Sequence, residues 1–165
     1  MLRDLLAEDL ALVVCGSAAG QRSAQLKQYY AGPGNKFWRT LARTGLTPRL
    51  LAPSEYPLLL SFGIGLTDLV KGQSGADTEI DFRRAGASEL ARKIERLRPR
   101  WLCFNGKRAA SEYLRVRQVA FGVQDERIGD TRIFVAPSTS GAANGAWDPA
   151  CWDELAERVR QTSAL

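Results

Sequence analysis

The apolar run Leu10–Val14 stops abruptly at Cys15-Gly16-Ser17-Ala18-Ala19-Gly20. A short run of branched apolar residues that ends in small ones reads as a buried strand opening into a bare backbone turn. Such a strand needs cover on both faces, which points to a sheet packed between helices. In open α/β sheets, ligands settle against turns at strand ends of this kind. Three further stretches have the same look: Gly65-Leu66-Thr67-Asp68, Phe104-Asn105-Gly106-Lys107 and Pro137-Ser138-Thr139-Ser140-Gly141. Together they suggest one crevice with a carboxylate, many backbone donors and a basic rim.

The rest of the chain fits that frame. Its 165 residues suit a single domain, here residues 1–165. Short apolar strands at 10–15, 101–104 and 131–136, with a strand-like or turn segment at 63–70, alternate with helical patterns. Helices are predicted at 2–7, from Asn35 to Arg43, at 54–60, 88–97, 107–114 and 149–161. Residues 16–34 and 71–82 read as loops, the first long enough to suggest a function. Right-handed crossovers would gather the glycine- and serine-rich loops on one edge. The expected fold is α/β, a three-layer α/β/α sandwich around a short, mainly parallel central sheet.

Composition narrows the chemistry. The chain has no histidine, which excludes Ser-His-Asp and Cys-His machinery and histidine metal sites. Its three cysteines, Cys15, Cys103 and Cys151, form no CxxC pair, so no zinc or iron–sulfur spacing is present. No GxxxxGK[ST] loop occurs either. No metal or cofactor is therefore expected. A net charge of +5 and a pI near 9.4 favour a polyanionic partner such as nucleic acid. The plainer alternative is a solvated surface with a modest excess of arginine. No membrane span or secretory leader is visible, so a monomeric cytoplasmic protein is expected.

Taken in order, these segments resemble the uracil-DNA glycosylase superfamily, nearest its mismatch-specific uracil/thymine branch. The resemblance rests on Val13-Val14-Cys15-Gly16 with Gly20, on Pro33-Gly34-Asn35-Lys36-Phe37-Trp38, on Gly65–Val70, on Phe104–Lys107 and on Pro137–Gly141. It implies a monofunctional glycosylase that hydrolyses the bond between deoxyribose and a uracil, or another deaminated or mismatched base, swung out of DNA. A catalytically impaired relative that only binds mismatched or abasic DNA is the alternative. A small-molecule nucleotide-binding protein is a third reading.

The resemblance also assigns places. The branch carries an Asn that holds the attacking water where this chain has Ala18, so another polar group is needed. Asp68 is the leading candidate for positioning the water and stabilising the sugar cation; capping a turn or pairing with an Arg is its plain alternative. Ser17, or a serine of 138–140, could hold the water instead. Ser17, Ala18 and Gly20 occupy the stretch whose backbone reads the base. Tyr30 falls where an aromatic stacks on it, although Tyr29 beside it could exchange parts. Asn35 is either a helix cap or a base contact. Lys107, Ser138, Thr139, Ser140, Gly141, Ala142 and Asn144 match the DNA-contacting loops, with Lys107 otherwise a solvated helix-end lysine.

Overall fold

A computed structural model describes residues 1–84 and 86–163. Four parallel strands form the centre: β1 (Leu12–Gly16), β2 (Ile64–Asp68), β3 (Trp101–Asn105) and β5 (Thr131–Ala136). A fifth, β4 (Gly122–Ile128), runs antiparallel on the β5 edge, giving the order β2-β1-β3-β5-β4. Strand register is tight, with Gly16 opposite Asp68 and Asn105 opposite Ala136.

Alternation along the strands sorts the core into two layers. Leu12, Val14, Leu66, Cys103 and Phe134 face one side, where they meet Phe37 and Leu41 of α2 (Phe37–Thr44) and Trp152 and Leu155 of α5 (Pro149–Ser163). Val13, Cys15, Leu102, Phe104 and Val135 face the other, against α3 (Ala87–Leu97) and α4 (Lys107–Leu114). This is the three-layer α/β/α sandwich the sequence predicts.

Four local expectations are corrected. Residues 2–7 are not helical: Leu5 is extended and exchanges two 2.8 Å backbone hydrogen bonds with Leu66, covering the outer edge of β2. A six-residue segment makes too few internal bonds to hold a helix unaided, whereas a strand edge offers partners at once. The loop 16–34 contains a short helix, α1 (Gln21–Leu26). The segment predicted as a helix at 54–60 is a 3₁₀ run, Pro53–Phe62, because Pro57 within it lacks an N–H and obstructs an α-helical turn. Finally, the stretch 115–130, where the sequence predicts no element, contains β4.

Candidate functional site

Because β1, β2, β3 and β5 are parallel, the loops after them open on one edge of the sheet. A 690 Å³ cavity lies there. That size suits a nucleotide-sized ligand. Its floor is the main chain of Gly16–Gly20. This loop is held by the segment after β2: the Leu69 and Val70 amides donate to the Gly16 and Ser17 carbonyls at 2.8 and 2.7 Å, and the Gly75 amide donates to Ala19. Ala18 packs against Val70, Ile80 and Phe82. The segment 71–82 thus forms a wall, and its Asp77 and Thr78 line the cavity. Phe121, just before β4, lines it as well. None of these three was singled out from the sequence, since each belongs to a stretch with no motif.

Asp68 ends β2 with its side chain only 4% exposed. Burial pushes its carboxyl up to about 6, against the opposing pull of the nearby Lys71 ammonium. Gly16 stands directly opposite. A Cβ there would lie 2.9 Å from Asp68 Oδ1 and 3.2 Å from the Tyr30 hydroxyl. The absent side chain is what lets carboxylate and phenol approach the same patch of cavity floor.

The two tyrosines part company. Tyr29 is buried and donates from its hydroxyl to the Arg3 carbonyl at 2.8 Å, although it too lines the cavity. Tyr30 adopts a left-handed backbone, φ 53°, uncommon for a large side chain. Neighbouring bonds impose that turn: the Ala31 amide donates to Ser23 Oγ at 2.9 Å, and the Trp38 indole donates to the Tyr29 carbonyl at 3.1 Å. The Tyr30 ring packs on Phe37 with centroids 4.1 Å apart, while its hydroxyl is sealed from solvent next to the Asn105 side chain. Burial raises that phenol well above its ordinary value, so it stays protonated.

Asn35 does what a cap does: its Oδ1 accepts from the Phe37 amide at 3.0 Å. The bond closes a turn one residue before the N-cap of α2, which is Lys36, and Asn35 also lines the cavity.

The opposite wall is built from β3 and β5. Asn105 clasps Thr139, donating to its hydroxyl and accepting from its amide, each at 3.0 Å. Thr139 is fully buried by this, which makes it a scaffold for its neighbours. The Ser138 hydroxyl accepts from the Ser140 amide and the Ser140 hydroxyl from the Ala142 amide, both at 3.2 Å. Hydroxyls engaged as acceptors retain their protons for an anion. Gly106, at φ 111°, brings the strand end against Ser138, where a Cβ would sit 3.2 Å from the serine's own. Lys107 follows, exposed, its ammonium 4.3 Å from the Phe121 ring centroid. Gly141 and Ala142 line the cavity too. Asn144 is turned to Lys36, whose ammonium donates to its side chain and to the Ser140 carbonyl.

The arrangement gathers Ser17, Ala18, Gly20, Tyr30, Asn35 and Asp68 at the floor and Lys107 with 138–142 at the rim. Missing from the sequence reading was the charge cluster behind Asp68. Lys71 approaches it at 3.5 Å, Asp4 holds Lys71 at 2.7 Å, and Lys93 holds Asp4 at 2.8 Å.

Residues 4–158 match the family model described as the Uracil DNA glycosylase superfamily. Among solved structures, the chain resembles a solution NMR structure of a candidate uracil DNA glycosylase from Methanosarcina acetivorans. The TM-score is 0.71 at 22% identity, covering 96% of each chain. A likeness at that identity carries the fold.

Proposed function

Since the chain belongs to the uracil DNA glycosylase superfamily, we propose that it excises uracil from DNA, with other deaminated or mismatched bases as further substrates, in the manner of the mismatch-specific branch. Superfamily membership brings the coarser activity, that of a DNA glycosylase hydrolase. The observation that supports excision over mere binding is the sunken Asp68 carboxylate beside the bare floor at Gly16.

The chemistry follows from the parts. The target nucleotide swings out of the helix into the cavity, where the Tyr30 ring supports the base and the main chain of Ser17–Gly20 lies along its polar edge. As the C1′–N bond breaks, the base takes the electron pair and leaves as an anion, with backbone amides receiving its oxygen. The sugar becomes cationic, and Asp68 stabilises it across the short gap. Water attacks C1′ and Asp68 accepts the water's proton. A base with a pKa near the working pH suits that transfer. Ser17 supplies a hydroxyl beside the floor and would orient the water. The rim holds phosphates through Lys107 and the Ser138 and Ser140 hydroxyls.

Uracil-containing duplexes and single strands, incubated with the protein and then treated with alkali, are expected to break at the uracil. The same panel with hypoxanthine, xanthine and thymine mismatches ranks substrates. Tight binding to mismatched or abasic DNA with no abasic sites formed would replace this reading with that of a binding protein. Lys107→Ala is expected to weaken DNA binding across all sequences and to lower the slope of log K against log salt by about 1. Titrations at several salt concentrations check it, and an unchanged slope removes Lys107 from the phosphate contacts.

A further inference from the structure

Asp68 borders two cavities. One is the 690 Å³ pocket; the other is a 130 Å³ space behind it, lined by Leu2, Val70 and Lys71 among others. Lys71 approaches from that rear side, and its ammonium is poorly spent on Asp68. It stands 3.5 Å from Asp68 Oδ2 but 2.7 Å from Asp4 Oδ1. It also donates to the Leu2 carbonyl at 3.2 Å and to the Tyr29 hydroxyl at 3.4 Å. Asp4 is itself firmly placed. Thr67 Oγ1 donates to it at 2.7 Å, Lys93 pairs with its other oxygen at 2.8 Å, and Leu5 next to it is stitched to β2.

We infer that Asp4 is a positioning residue for Asp68: it holds the Lys71 ammonium at 2.7 Å and keeps it 3.5 Å from Asp68, so that the Asp68 carboxylate borders the pocket without a tight counter-ion. An ammonium in direct contact would hold the carboxylate anionic but weakly basic, and would occupy the lone pairs that a water needs. At 3.5 Å the cation still favours ionisation without closing on the oxygen. Asp4 has a second effect of the same sign, since its own charge repels that of Asp68.

The other titratable groups near this centre do not supply the same control. From β1, Cys15 is buried and its thiol is pushed well up by burial. Tyr30 and Tyr29 are raised by burial and stay neutral. From α3, Lys93 is engaged by Asp4 and, at 3.6 Å, by Glu89. The exchange of Lys71 between two carboxylates is the adjustable element.

This inference rests on the reading that Asp68 acts on the water, and two readouts separate the two claims. The first is the titration of the Asp68 carboxyl carbon by NMR, which needs no activity. The second is the pH dependence of single-turnover uracil excision. Asp4→Asn, which keeps an acceptor for Thr67, is expected to lower the Asp68 midpoint by about one pH unit. The acid limb of excision should move with it, the plateau rate should fall on the order of threefold, and DNA affinity should stay unchanged. Lys71→Met is expected to move the midpoint the opposite way. Midpoints that stay put, or that move in the same direction in both variants, overturn the inference; if Asp4→Asn does not fold, Asp4→Ser is read in its place by the same midpoint. Midpoints that move as expected while the excision limb stays fixed sustain the charge arrangement and count against Asp68 as the base.

Discussion

Asp68→Asn is expected to slow single-turnover uracil excision on the order of 10²–10³-fold while making the protein more resistant to unfolding at neutral and alkaline pH. The two effects have one source. An ordinary aspartate titrates near 3.8, but burial carries Asp68 to about 6. Its folded pKa lies above its unfolded one, so the folded state binds the proton more tightly. Stability from this group is therefore fully present below about pH 4 and is lost as pH rises through about 6. The gap between the two values corresponds to about 3 kcal/mol of destabilisation once the carboxylate is ionised. An amide of the same shape cannot ionise and avoids that cost. Denaturant titrations at pH 8 should show the variant more stable by about 1–3 kcal/mol, with the difference shrinking toward pH 4. Wild-type excision should fall about tenfold for each pH unit below 6. A variant that excises at the wild-type rate would remove Asp68 from the mechanism.

Gly16→Ala should cost about 10² in excision rate with a much smaller loss of fold. The new methyl would arrive 2.9 Å from Asp68 Oδ1 and 3.2 Å from the Tyr30 hydroxyl, so one of them must shift. The carboxylate is the end of a short side chain, and the strand backbone beneath it is fixed by the Gly16–Asp68 register. Overpacking of this sort typically costs about 1–3 kcal/mol in stability. The informative comparison is rate against melting temperature. A large rate loss with a modest thermal shift means that the position of the carboxylate matters as well as its presence. Wild-type activity in Gly16→Ala would mean that the crowded patch of floor is not where the reaction occurs.

The elements legible in the sequence were those whose burial left a pattern. Strands β1, β3 and β5 are apolar runs bounded by turn residues, β2 with its Gly65, Thr67 and Asp68 reads as strand-like or turn, and α2, α3 and α5 carry apolar stripes at helical spacing. Strand β4 left no such trace: its centre, Gln124-Asp125-Glu126-Arg127, is polar because it lies on an open edge. Helix α1 is too short to show a stripe. The crevice itself was readable, because parallel strands oblige their trailing loops to share an edge. The cluster of Asp4, Lys71 and Lys93 was not. Its members come from the N-terminal segment, the loop after β2 and α3, and only the folded chain brings them together. The clasp between Asn105 and Thr139 is hidden for the same reason, since nothing in the local sequence marks Thr139 as interior.

The turn at Gly141–Ala146 carries nothing larger than an asparagine, and Lys36 moors that asparagine to the start of α2. A probe so short and so firmly mounted has little reach into a double helix. Under the proposed function, separating a nucleotide from its neighbours would then have to be won from outside the stack, by grip on the sugar–phosphate chain and by the welcome the cavity offers the base.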